Sequence, residues 1–146
     1  MRTHNQQNLV AAALAARRYA IAPYSKFRVG TAILTRSGRV YTGANIESAS
    51  YGLTCCAERV ALFKALSAGE TDFVAIAVVA RVSGGPMPCG ACRQLLAEYA
   101  PEAVVLVADS KTPGKIRKFT VRALLPRAFR RFRRRGADSG RRARQR

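Results

Sequence analysis

Two uninterrupted apolar runs, "FVAIAVVA" at 73–80 and "AVVLVAD" at 103–109, mark the hydrophobic pattern of the chain. A strand covered on both faces has no polar side to show, so runs of this length predict two fully buried strands. Ahead of them, the Ala- and Leu-rich residues 6–19 predict a helix that stops before Pro23. Residues 27–35 and 38–47 are β-branched apolar runs around Arg36, Ser37 and Gly38, the signal of a hairpin. From Cys56 the period becomes helical, with Val60, Phe63 and Leu66 near one face and Gly69 as the expected stop. A second helix runs from Cys89 to just before Pro101. After a polar turn, residues 116–121 predict a short last strand, and Thr120 predicts the N-cap of a closing helix through Leu124 and Leu125. The order α-β-β-α-β-α-β-β-α shows no internal repeat. It predicts a three-layer α/β/α sandwich around a mixed five-stranded sheet.

Composition changes this picture only at one end. The chain has 146 residues, room for a single core, and a net charge of +18. Residues 127–146 hold ten arginines against one aspartate, half of the excess. From Gly136 onward little is available for burial, so we expect a folded domain at 1–132 and a disordered arginine-rich tail at 133–146. Such a tail is a solvated end first. It is also able to attract RNA by counterion release, without sequence preference. No stretch reads as a signal peptide or membrane anchor, so a cytoplasmic protein without membrane association is expected. In that reducing compartment cysteines bind metal or do chemistry more often than they pair.

There are four cysteines and one histidine. Cys89 and Cys92 form a C-x-x-C at the start of a helix, a spacing that turns two thiolates toward one ion. A tetrahedral zinc site needs more, and the other helix that begins with cysteine supplies it. Both helices would aim N-terminal N–H groups and the positive dipole end at the ion, which favours thiolate. Cys55 and Cys56 point about a hundred degrees apart, so only one serves. Glu58 decides which one: two residues beyond Cys56, its carboxylate sits beside an open coordination position, whereas Cys55 would place Ala57 there. Cys56 is the expected ligand, and Cys55 a small buried residue. Three ligands and one open position characterise a catalytic zinc. A four-cysteine structural site or a redox pair fits the spacing less well.

Cys56-Ala57-Glu58 with Pro88-Cys89-Gly90-Ala91-Cys92 matches the C/H-x-E…P-C-x-x-C signature of the zinc deaminases. Beyond it, "APYSKFRVGTAI", "TGANIESASYGLTCCAERVALFKALSAG", "PCGACRQLLAEY" and "LLPRAF" resemble the short, all-cysteine cytidine deaminases over most of residues 10–130. The resemblance implies hydrolysis of cytidine and 2′-deoxycytidine to uridine and deoxyuridine, one Zn²⁺ per chain, and a homotetramer with shared active sites. By position it assigns Cys56, Cys89 and Cys92 to the metal and Glu58 to general acid/base catalysis. Phe27 would pack on the pyrimidine, Asn45 and Glu47 bind the ribose 3′-hydroxyl, and the Ala57 backbone contact the base. Tyr51 and Phe129 would lie near the pocket, lent across a subunit boundary. Taken singly, Phe27 reads equally as core, and Asn45 and Glu47 as exposed strand ends.

Three thiolates give the centre a formal charge of −1, which makes its water less acidic. Arg59, next to Glu58, is the expected offset, together with the two helix dipoles. Rival readings are a deaminase of a modified nucleoside such as blasticidin S, an RNA-binding or editing deaminase using the tail, and a zinc scaffold without turnover. The family pattern usually has a different residue where this chain has Cys55, and nothing in the family accounts for the arginine tail.

Overall fold

The structure, a computed structural model, describes residues 3–129, so the expected tail at 133–146 lies outside the described residues. Helix α1 spans Thr3–Ala16, followed by strands β1 (Val29–Thr35) and β2 (Val40–Ala44). Helix α2 (Ala57–Ser67) leads into β3 (Phe73–Ala80), α3 (Gly90–Tyr99) into β4 (Val104–Asp109), and β5 (Arg117–Thr120) into α4 (Val121–Leu124). The sheet order is β2-β1-β3-β4-β5, with β3 and β4 parallel and the other neighbours antiparallel. This is the expected mixed five-stranded sheet. Helix α1 starts three residues before its apolar pattern does and ends in a short 3₁₀ turn, Arg17–Tyr19.

Side chains alternate across the sheet and split the core in two. Leu9, Val10 and Ala13 of α1 cover Ala32, Ala75, Ala77, Val79 and Leu106 on one face. Leu62 of α2 and Leu96 of α3 cover Ile33, Ile76, Val78, Val105 and Val107 on the other, with Leu124 of α4 beside them. Three layers result. Each fully buried Leu contributes about 2 kcal/mol by leaving water. The Thr120 hydroxyl caps α4 by accepting from the Ala123 N–H at 3.1 Å, and Gly69 follows α2 at φ +87°.

The face that α2 buries differs from the expectation. Ala57, Glu58, Ala61, Leu62 and Ala65 are buried, whereas Phe63 is 46% exposed. The cause lies in another element. Gly43 of β2 has no side chain, and a Cβ placed there would come within 2.5 Å of the Ala57 carbonyl oxygen and 2.6 Å of the Ala61 nitrogen. The helix therefore rests directly on the strand, and only small residues fit beneath it. Gly43→Ala should push α2 away and cost about 1–3 kcal/mol of stability by denaturant unfolding. Because α2 begins beside Cys56, metal retention should fall with it. An unchanged melt and metal content would show that the close approach is unimportant.

Candidate metal centre and its surroundings

Strand β3 and helix α3 are joined by a loop that brings α3 back over the carboxyl end of the parallel pair. Gly85 lets that loop pass close to β4, since a Cβ on it would meet the Ala108 nitrogen at 2.6 Å. Cys89 is the residue preceding α3, and Cys92 lies in its first turn. Cys56 is likewise the residue preceding α2. The two helices thus present their N-termini to one point. There the sulfurs of Cys56, Cys89 and Cys92 all lie within 4.8 Å of one another. Cys56 Sγ to Cys89 Sγ is 3.7 Å, and Cys89 Sγ to Cys92 Sγ is 3.5 Å.

These separations test the fit to zinc. Thiolates about 2.3 Å from a tetrahedral ion stand about 3.8 Å apart. The two shorter separations are near that spacing, the third is within 4.8 Å, and the donor set is soft, so the residues fit a zinc ion with three protein ligands. Cys55 is not among them. It is half-buried rather than buried as the sequence suggested, because its backbone is spent in an antiparallel bridge with Ile46: Cys55 N–H donates to the Ile46 carbonyl at 2.8 Å and Ile46 N–H returns the bond at 2.9 Å. This bridge fixes the chain just ahead of Cys56.

Without the ion, three crowded thiols cannot all ionise. Hydrogen bonding from Cys92 holds the Cys56 thiol down to about 5 against the resistance of burial, with Cys89 and Arg59 adding to it. The same bond pushes Cys92 up, and burial adds to the rise. Glu58 is 6% exposed. Burial raises its carboxyl to about 7, opposed by its own backbone N–H and reinforced by the negative Cys56 sulfur.

Arg59 turns back over the centre. One terminal nitrogen donates to the Thr54 carbonyl at 2.6 Å and lies 3.9 Å from Cys56 Sγ. Burial works against its charge, and the Cys56 thiolate more than offsets that. The guanidinium thus lies beside the Cys56 sulfur, and its Nε is buried without a partner among the described residues.

The remaining candidates lie on the segments leading to Cys56. Phe27 is 41% exposed, so it is not a core residue. Asn45 and Glu47 lie just past the end of β2 and are not idle polar ends. Asn45 Nδ2 donates to the Phe27 carbonyl and its Oδ1 accepts from Val29 N–H, both at 2.8 Å. Glu47 accepts from the Ser25 hydroxyl at 2.9 Å and from Ser25 N–H at 3.1 Å. Both thus hold the 25–29 segment that carries Phe27. Ala57 is fully buried at the start of α2.

Tyr51 is 77% exposed and meets Tyr24 edge to face at 6.0 Å. Phe129 is 63% exposed, its carbonyl accepting from Gln94 Nε2 on α3 at 2.6 Å. Sequence reasoning missed Ser25 and Tyr24, whose partners are more than twenty residues away and leave no spacing signal.

Residues 3–108 match the family model of the cytidine and deoxycytidylate deaminase zinc-binding region. The chain belongs to this deaminase family. A cytidine deaminase of Halalkalibacterium halodurans is 54% identical over 125 residues, covering 86% of this chain and 94% of that protein. A crystal structure of cytidine deaminase from Burkholderia pseudomallei superposes with a TM-score of 0.81 at 48% identity, covering 88% of this chain and all of that one. A blasticidin-S deaminase of Bacillus cereus is 34% identical over 110 residues, covering 70% and 76%. The three clustered sulfurs lie within the matched residues.

Proposed function

We propose that the protein hydrolyses cytidine and 2′-deoxycytidine to uridine and deoxyuridine with release of ammonia. The observation that carries this reading is Glu58: a buried carboxyl two residues beyond one of three clustered sulfurs. When bound, zinc supplies a water acidified enough to attack at neutral pH. Glu58 carries the proton. Its carboxylate accepts it from the attacking water and gives it to ring N3, then takes the remaining proton from the new C4 hydroxyl and gives it to the leaving amino nitrogen as the C4–N bond breaks, so cytidine and water become uridine and ammonia. A carboxyl whose pKa has been raised toward the working pH suits both accepting and donating. Phe27 offers a ring face to the pyrimidine. Asn45 and Glu47 retain lone pairs for a sugar hydroxyl beyond those spent on the 25–29 segment. Arg59 offsets the excess negative charge of three thiolates.

The nearest rival substrate is a modified cytosine nucleoside such as blasticidin S, since a deaminase of that name is also similar to the chain. The greater identity to a cytidine deaminase favours cytidine. The purified protein should release ammonia from cytidine and lose that activity on prolonged chelation. Turnover of blasticidin S at an equal or greater kcat/KM, or none of cytidine, would overturn the assignment.

We also propose a homotetramer, as the resemblance to the short cytidine deaminases implies, and exposed apolar side chains support association between chains. Tyr19, Ile21, Tyr24, Phe27, Ile46 and Leu53 are all more than 40% exposed, and Ile21 and Ile46 are joined by a bridge. Patches of this kind mark protein contacts. Light scattering should give about four times the mass of one chain, and a monomer at micromolar concentration would rule the tetramer out. No described helix is long and apolar enough to cross a membrane, and a cytoplasmic location is consistent with the salvage of free nucleosides.

A further inference from the structure

Ser25 sits in the middle of a hydrogen-bond chain that joins Phe27 to Glu47. Its hydroxyl accepts from Phe27 N–H at 3.0 Å and donates to Glu47 Oε1 at 2.9 Å. A hydroxyl has one proton, and the bond received from Phe27 leaves that proton for the carboxylate. Ser25 N–H adds a second hold, 3.1 Å from Glu47 Oε2 and 3.3 Å from Oε1. Oε1 is thus tied to both donors, whereas Oε2 meets only the N–H and keeps a lone pair for a further donor.

This chain is joined to the metal centre through the backbone. Glu47 N–H donates to the Ile21 carbonyl at 2.9 Å, and Ile46 exchanges backbone bonds with Cys55, the residue before Cys56. Residues 45–47 therefore carry the loop at 21–29 on one edge and the approach to Cys56 on the other. Between Ser25 and Phe27, Lys26 has φ +59°. A left-handed lysine is strained, because its Cβ crowds the following carbonyl, and it persists only where its neighbours hold it. Lys26 N–H donates to the Ala22 carbonyl at 3.1 Å on one side, and the Phe27 bond to Ser25 closes the other. Ser25 and Phe27 are both exposed, so this ordering protects no core. Hydrogen bonds that water can replace add little to stability. What the ordering sets is the position of a carboxylate and of the segment that carries an aromatic ring.

We propose that Ser25 is a positioning residue that sets recognition of the sugar 3′-hydroxyl. The inference rests on the nucleoside reading above and names what aims its sugar contact. The Ser25 hydroxyl pins Glu47 Oε1, leaves Oε2 for the 3′-hydroxyl, and ties the Phe27 backbone to the same oxygen. Sugar and base contacts are thereby held in one register. Ser25 touches none of the reacting atoms, so it governs binding rather than proton transfer.

Steady-state rates on cytidine and 3′-deoxycytidine test this on the zinc-loaded protein. The parent protein should favour cytidine by at least about tenfold in kcat/KM, because a site built to bond a hydroxyl rejects the analogue without it. Ser25→Ala should lower that preference about tenfold through a higher KM for cytidine, with kcat changed less than about threefold and 3′-deoxycytidine nearly unaffected. Ser25→Thr retains the hydroxyl and should restore the preference. Both variants should keep the parent melting temperature and zinc content. A preference unchanged in Ser25→Ala would overturn the inference, since a loss shared by both substrates reflects structure alone. So would a threonine variant no better than the alanine one, or a parent protein that turns over both substrates alike; each leaves the deaminase reading intact. No turnover of cytidine by the parent protein would overturn that reading and this inference with it.

Discussion

Glu58→Gln should keep one equivalent of zinc per chain and lose about 10³–10⁴-fold in kcat for cytidine. The side chain is buried at the start of α2, and glutamine has nearly its size, so the packing against β2 survives. What is lost is the ability to carry a proton from water to N3 and then one from the C4 hydroxyl to the amine. Proton transfer by a positioned group contributes about 10²–10⁴-fold, and here one group serves more than one transfer. The folded state should be no less stable, because a neutral amide replaces a carboxyl whose charged form burial disfavours. Metal analysis alongside steady-state rates decides the matter. Activity within tenfold of the parent protein would remove Glu58 from the mechanism, and loss of zinc would make its role structural.

The second large effect separates two neighbouring thiols. Cys56→Ala should leave the purified protein with substoichiometric zinc and no measurable turnover, whereas Cys55→Ala should retain the full equivalent. The Cys56 sulfur is 3.7 Å from that of Cys89, while Cys55 is outside the cluster and held by its backbone to Ile46. A site saturated a thousandfold over its dissociation constant stabilises the folded state by about 4 kcal/mol. Losing it should lower the melting temperature by roughly 10 °C for a chain of this length. The reverse pattern would move the ligand by one residue.

Features written into consecutive residues were legible from the sequence. The run at 73–80 has no polar face and is β3; Thr120 caps α4 with its own hydroxyl; Gly69 follows α2 with positive φ. The clustering of three thiols was equally legible, since helix starts at Cys56 and Cys89 turn local spacing into geometry. Properties set by a distant partner were not. Phe63 looked like part of the apolar face of α2, and only the contact with Gly43, eighteen residues before Ala61, explains why alanines line the buried face instead. The bonds from Asn45 to Phe27 and Val29, and from Glu47 to Ser25, cross the hairpin. They give both residues a structural duty that no local pattern announces.

X-ray absorption at the zinc edge of the fully loaded protein reads the first coordination sphere directly. Three sulfurs at about 2.3 Å and one oxygen or nitrogen at about 2.0 Å are the expected result. Four sulfurs would mean that Cys55 closes the site and leaves no place for water. Fewer than three would mean that Cys56, Cys89 and Cys92 do not share the ion.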